Sequence, residues 1–338
     1  MRQPHLTLGL FLFFAIIAPA LVQADEVLFK NGDRLVGTVT DFDGTKLTID
    51  TKVAGKVTVD MKDVKTFSSS SPLELMLNNG KMVRGTIAEG PDGQVSVAQA
   101  NEAAQLVPLS DLEKLSPPVK WTGTVTIGGL IARGNTETDS LNALGHAERR
   151  TFKDRIILDG GYIFGTQKVP GGSWHETAND LYGSAEYDYF FSKKFYGYGN
   201  IRADHDTIAG INLRLAPGVG AGYQWFEKPS FNFNTEGGAG WLYRQYAHDG
   251  EDSAASARAA YHLKVKFNDK VSGFHDFEYL PGLNNINNYF FDTDAGIRAT
   301  ITGHFFTEFS VYYQYDSRPA PGKGPNDIRF ILGVGWNF

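Results

Sequence analysis

The chain has 338 residues, with 32 Lys and Arg against 38 Asp and Glu and no cysteine. A net charge of −6 lacks the basic footprint that nucleic-acid binding requires. The missing thiols exclude disulfides, thiolate metal sites and cysteine nucleophiles. A mean hydropathy of −0.26 does not exclude a membrane barrel, because strands that alternate apolar and polar residues average out.

In chain order, Arg2, the apolar run Leu6 to Ile17, Pro19 and the small-x-small segment Val22-Gln23-Ala24 compose a Sec-type signal peptide over residues 1–24. The apolar run is shorter than the roughly 20 residues of a spanning helix. No Cys comes after it to carry a lipid anchor, and the mature chain is expected to start at Asp25.

Residues 25–116 contain a repeat. Asn31-Gly32-Asp33-Arg34-Leu35-Val36-Gly37-Thr38-Val39 matches Asn79-Gly80-Lys81-Met82-Val83-Arg84-Gly85-Thr86-Ile87 at an offset of 79 − 31 = 48. Asn-Gly favours a tight hairpin turn, and the flanks alternate as half-buried strands do. Two small SH3-like or Sm-like β-modules are predicted, each too short to bury much core alone. They read either as ligand-binding modules or as a spacer beneath the aromatic-rich remainder of the chain. Residues 117–120, entered through Ser116-Pro117-Pro118, read as a stiff linker.

All 5 Trp and all 15 Tyr lie from Trp121 onward. There the period is 2. Leu213, Leu215, Val219, Ala221, Tyr223 and Trp225 share one face, while Arg214, Gly218, Gly220 and Gln224 share the other. The pattern predicts an all-β fold: an antiparallel transmembrane β-barrel of about twelve strands over 121–338, with short connections alternating with longer ones. Short turns belong to the periplasmic side, so both ends of the barrel, and the 25–116 region, are expected in the periplasm of a cell with an outer membrane. Trp121, Trp225, Trp336 and Phe338 are placed at the periplasmic interface, where aromatic girdles sit. The terminal aromatic also suits recognition by a barrel-insertion machinery.

The charged residues of the polar face are the candidate lumen lining: Arg202, Arg214, Arg244, Arg258, Arg298 and Arg329 with Glu186, Asp188, Glu236, Asp276, Glu278, Asp292, Asp294 and Glu308. They fit a selectivity lining for small solutes and, equally, a ladder of ion pairs that fills a narrow barrel. Twelve strands lie between the filled eight-stranded barrel and the open porin. No external loop looks long enough to fold deeply inward as a plug. Asp204-His205-Asp206 and His275-Asp276 are the adjacent pairs that could orient a catalytic imidazole. Neither has the Ser spacing of barrel phospholipases, and no catalytic, cofactor or metal residues are assigned. Asp249-Gly250-Glu251-Asp252 lacks the spacing of a dedicated calcium loop.

Lys30 to Thr38, Gly128-Gly129-Leu130, Arg133-Gly134-Asn135-Thr136-Glu137-Thr138 and the closing Gly-Val-Gly-Trp-Asn-Phe resemble the YdiY-like salt-induced outer-membrane protein family, a family of unknown function. The resemblance implies an outer-membrane barrel and no catalytic residues. The chain is therefore expected to be non-enzymatic, a narrow channel for small solutes. The alternatives are a non-conducting envelope protein whose periplasmic modules bind a cell-envelope component, and a barrel hydrolase. Its expected partners are outer-membrane lipids and the insertion machinery.

Overall fold

The computed structural model describes residues 24–42, 44–99, 103–116, 120–151, 153–248 and 250–338. The expected signal peptide, apart from Ala24, and the linker prolines Pro117 and Pro118 lie outside the described residues. The chain divides into two compact units, Met1–Pro118 and Val119–Phe338.

The first unit has nine strands: β1 (Asp25–Phe29), β2 (Arg34–Phe42), β3 (Lys46–Thr51), β4 (Gly55–Asp60), β5 (Val64–Leu77), β6 (Met82–Glu89), β7 (Gln94–Ala98), β8 (Gln105–Pro108) and β9 (Leu112–Ser116). The 48-residue repeat is carried through its geometry. The turns at Gly32 and Gly80 both have positive φ, at 91° and 76°. In each, an Asn side chain caps the turn: the amides of Asp33 and Lys81 donate to Asn31 Oδ1 and Asn79 Oδ1 at 3.0 and 2.9 Å. The short 3-10 turns Met61–Asp63 and Leu109–Asp111 are also 48 residues apart.

The long strand β5 belongs to both copies. Its first half pairs with β1, Phe67 opposite Val27. Its second half pairs with β6 and β9, Leu75 opposite Val83 and Leu115. The sheet runs continuously in the order β4-β3-β2-β1-β5-β6-β7-β8, with β9 against β2 and β5. The two expected modules are thus two copies of one unit, joined through a shared strand. They bury a single core that includes Val27, Val39, Phe67, Leu75, Ile87 and Leu115. Neither copy has enough apolar surface to stand alone, and fusing them reduces the surface each must cover. Both copies also contain a close backbone approach at the same place. A Cβ on Gly37 or Gly85 would lie 2.4 Å from the Asp50 carbonyl oxygen or 2.1 Å from that of Ala98.

The second unit is a closed antiparallel barrel of twelve strands. These are β10 (Trp121–Ala132), β11 (Glu137–Arg150), β12 (Asp154–Lys168), β13 (His175–Phe190), β14 (Phe195–Asp206), β15 (Ile211–Lys228), β16 (Phe231–Tyr246), β17 (Glu251–Lys266), β18 (Val271–Pro281), β19 (Tyr289–Thr302), β20 (Phe305–Asp316) and β21 (Asn326–Asn337). Sequential strands pair, and β21 returns to β10 from Thr124↔Asn337 to Ile127↔Val334. Phe338 and Gly123 exchange backbone hydrogen bonds of 3.1 and 3.2 Å just beyond. Closure leaves no strand edge with free N–H and C=O groups, the condition for crossing hydrocarbon.

Ile127, Leu158, Leu181, Ile201, Val219, Trp241, Ile297, Phe309, Phe330 and Leu332 are all exposed on the outer wall. Such a belt is far larger than the apolar patches a water-soluble protein carries, and it is the lipid-facing surface of a transmembrane barrel. Trp121, Trp225, Trp336 and Phe338 are exposed too. The connections 151–153, 191–194, 229–230, 267–270 and 303–304 gather at one end, the short-turn end, and the segments 169–174, 282–288 and 317–325 at the other, the loop end.

Leu75 is fully buried in the N-terminal core. Leu75→Ala is expected to destabilise that unit by about 2–5 kcal/mol, and Gly85→Ala by about 1–3 kcal/mol. Urea unfolding of residues 24–116 followed by circular dichroism checks both, and a midpoint equal to that of the parent fragment contradicts the shared core.

Candidate functional site

Alternation along each barrel strand sends one parity of residues inward, and the fourteen charged candidates all lie on it. The structure draws them into networks that cross from wall to wall. Arg258 on β17 donates from Nη1 to Glu236 on β16 at 2.6 Å, from Nη2 to Glu186 on β13 at 3.5 Å, and from Nε to Glu278 on β18. Arg155 on β12 donates to Asp188 on β13 at 2.5 Å and to Gln224 on β15 at 3.4 Å. Tyr196 donates its hydroxyl to Glu236 at 2.8 Å. Glu186, Asp188 and Glu236 offer oxygens within 4.8 Å of one another. Two guanidiniums already face this trio, so it is the acidic half of an ion-pair network. Glycines on β15 and β16 make the room: a Cβ on Gly222 would lie 2.2 Å from the Tyr196 ring, and one on Gly238 2.4 Å from the Tyr198 oxygen.

A second network spans the full width. Arg202 on β14 holds Asp204 at 2.9 Å, lies 2.8 Å from Asp292 on β19, and donates to the Tyr312 hydroxyl on β20 at 2.5 Å. In a ring of twelve strands, β14 and β20 are opposite walls. Arg329 on β21 reaches Asp206 on β14 at 2.8 Å and also binds Asp180 on β13. Arg298 is paired with Glu308.

Toward the loop end the lumen closes. Arg214 and Arg244, paired in register between β15 and β16, converge on Asp316 of β20 at 3.2 and 2.8 Å. Arg244 has no exposed surface. The Arg214 guanidinium lies 4.2 Å from the centre of the Phe290 ring, which packs with Ala216, Leu242 and Leu280 in a buried apolar cluster. All four are on inward positions, so this end of the lumen is lined by hydrocarbon, where the sequence pattern implied polar groups. Above it the 317–325 segment reaches across from β20. The Tyr246 hydroxyl on β16 donates to the Arg318 carbonyl at 2.9 Å, and Ala320 is buried, within van der Waals reach of Gly210. The segment lies over the mouth, from β20 to Tyr246 of β16 and Gly210 before β15.

The short-turn end holds a cavity of about 620 Å³. Its lining runs from Lys228 and Lys270 at the turns inward to Arg202, Asp292 and Tyr312. Its wall carries further pairs: His146 Nδ1 with Asp159 at 2.6 Å, His262 Nδ1 with Asp276 at 2.9 Å, and Lys264 with Glu148 of the opposite wall at 3.6 Å. Neither of these imidazoles is hydrogen-bonded to a hydroxyl among the described residues.

The two sequence-adjacent His–Asp pairs are not formed, because neighbours on a strand point to opposite faces. His205 is exposed on the outer wall and bonds the Asn212 carbonyl, while Asp204 and Asp206 turn inward to Arg202 and Arg329. His275 faces outward to Tyr261 and Thr293, and Asp276 binds His262 instead. Asp249 lies outside the described residues, and Glu251 and Asp252 are held by Tyr243 and Arg244. Three lumen residues, Arg155, Asp180 and Asp316, do not stand out in the sequence. Arg155 shares its face with Ile157 and Ile163 as well as with Asp159, which the alternation does place inward, so that face reads as mixed; Asp316 is the last residue of its strand, where parity is hardest to count.

Arg258 is the common partner of three carboxylates. Arg258→Ala is expected to destabilise the barrel by about 3–5 kcal/mol by leaving buried charge unpaired, and adding Glu236→Gln is expected to recover part of the loss. The guanidinium chloride midpoint of the refolded barrel, read by Trp fluorescence, checks this; an unchanged midpoint for the single variant contradicts it.

Solved structures of low identity resemble this chain. It is similar to the translocator domain of the autotransporter NalP from Neisseria meningitidis, with 13% identity over 64% of this chain and 87% of that one and a TM-score of 0.33. It is similar to the KdgM porin, with 11% identity over 65% and 99% and a TM-score of 0.33. It is also similar to the outer membrane channel DcaP of Acinetobacter baumannii, with 10% identity over 93% and 94% and a TM-score of 0.28. No curated protein matches the chain in sequence. The model of the family described as "Protein of unknown function, DUF481" matches residues 125–338, more than half of the chain, and the protein belongs to that family.

Proposed function

We propose that the protein is an outer-membrane barrel, related to the YdiY-like proteins, whose lumen is a solute vestibule entered from the periplasm and shut at its outer end. In this reading the signal peptide is removed, and the short turns and the N-terminal β-unit stand in the periplasm. Membrane lipid covers the apolar belt, and the insertion machinery receives the C-terminal strand. The single observation that carries the closed state is the convergence of Arg214 and Arg244 on Asp316, over the Phe290 cluster and beneath the 317–325 segment. A passage through this layer requires the clamp and the covering segment to move together. The barrel is then a narrow channel at rest, and it performs no hydrolysis.

A second reading has a specific observation behind it. Among the described residues, the sheet of the N-terminal unit ends in two strands paired on one side only, β4 and β8, with Val53 and Leu106 exposed beside them. Free strand edges accept an added strand, which supports a role in binding an extended segment of a cell-envelope component.

Planar-bilayer recording decides the closed state. Refolded wild-type protein is expected to conduct rarely or not at all at moderate voltage. Asp316→Ala combined with shortening of 317–325 is expected to give steady ion conductance. Steady conductance from the wild type overturns the closed reading.

A further inference from the structure

The acids lining the vestibule at the short-turn end are partnered, with one exception among the described residues. Glu148, Asp292 and Glu308 each face a Lys or Arg, and Asp159 and Asp276 each face an imidazole. Asp294, on β19, is in no ion pair among the described residues, and Arg298 on the same strand is taken by Glu308. In register Asp294 stands between Asp276 on β18 and Tyr312 on β20. Its Oδ1 is buried without a hydrogen-bond donor. A second oxygen in the same lining is also unsatisfied: Asn234 on β16 is only 3% exposed, and its Oδ1 has no donor either. A buried carboxylate without a counter-charge is costly, and so is a buried amide oxygen without a donor. The first deficit is met by a group that carries positive charge and N–H bonds; Asn234 stands three strands away in register, across His262 and Asp276, beyond the reach of the same group.

We propose that the vestibule binds a small organic amine, with its ammonium group against Asp294. Three features select this chemistry. Calcium and magnesium take six or more oxygen ligands, whereas the carboxylates beside Asp294 are already engaged by His262 and Arg202. The volume of about 620 Å³ is that of a small-molecule pocket, not of an ion. At the mouth, the side chains of Lys228 and Lys270 line the cavity and form no ion pair among the described residues, so an amine with an anionic tail suits the vestibule better than a diamine.

The inference rests on the vestibule being reached from the short-turn end, and it does not require conduction. Calorimetric titration of refolded full-length protein in detergent therefore tests it separately from the bilayer experiment: a conducting wild type would remove the closed state and leave this proposal standing. The probes are 6-aminohexanoate, cadaverine and, as the control without an ammonium group, hexanoate. The expected result is binding of 6-aminohexanoate, weaker binding of cadaverine and none of hexanoate. Asp294→Asn, which keeps the shape of the side chain, is expected to weaken 6-aminohexanoate at least tenfold. Heat-modifiable migration on gels confirms that each variant is folded. Absence of binding by both amines, equal binding of hexanoate, or unchanged affinity in folded Asp294→Asn overturns the proposal.

Discussion

A guanidinium held away from bulk water must be met by carboxylates, and the inside of this barrel is organised around that requirement. Arg258 gathers three acids from three strands, and Arg202 ties β14 to β19 and β20. Once inward positions carry this many charges, a barrel of intermediate width has no better arrangement than to pair them across the lumen. The pairs then act as struts. They stiffen the cylinder, and they consume the space through which a solute would pass. The Tyr and Gly residues of the interior serve the same arrangement: Tyr196 reaches Glu236 only because Gly222 leaves its ring a place to lie.

The two ends of the lumen differ for a related reason. At the loop end, Phe290, Leu242 and Leu280 exclude water, and the clamp on Asp316 is correspondingly dry. At the short-turn end the pairs stand around a cavity, and there the acids are paired with the exception of Asp294. The covering segment 317–325 lies over the loop end, held by Tyr246 and packed near Gly210.

The N-terminal unit solves a different problem. Two copies of a unit too small to fold alone share β5, so a single strand closes one copy and opens the next. The shared core of Val27, Phe67, Leu75 and Leu115 results from that fusion. The repeat was legible in letters, including the Asn-Gly turns and the glycines 37 and 85. The fusion was not, since nothing in the pattern of Val64 to Leu77 distinguishes one long strand from two short ones.

By itself the sequence determined the strands of the barrel, their even number and the facing of most side chains. Those depend on a period of two and on turns between neighbours, both local properties. The ends of β16 were legible to the residue and those of β20 to within one, and the fourteen charged residues were placed on the inner face by parity alone. Which charge meets which was decided only by closure. Arg329 and Asp180 lie 149 residues apart, and Arg202 and Tyr312 lie 110 apart. No local pattern encodes such a distance; it is set by the number of strands in the ring and the stagger between them. The same holds for the apolar cluster around Phe290, for the segment across the mouth and for the unpaired Asp294, each of which exists only because opposite walls were brought within reach of one another.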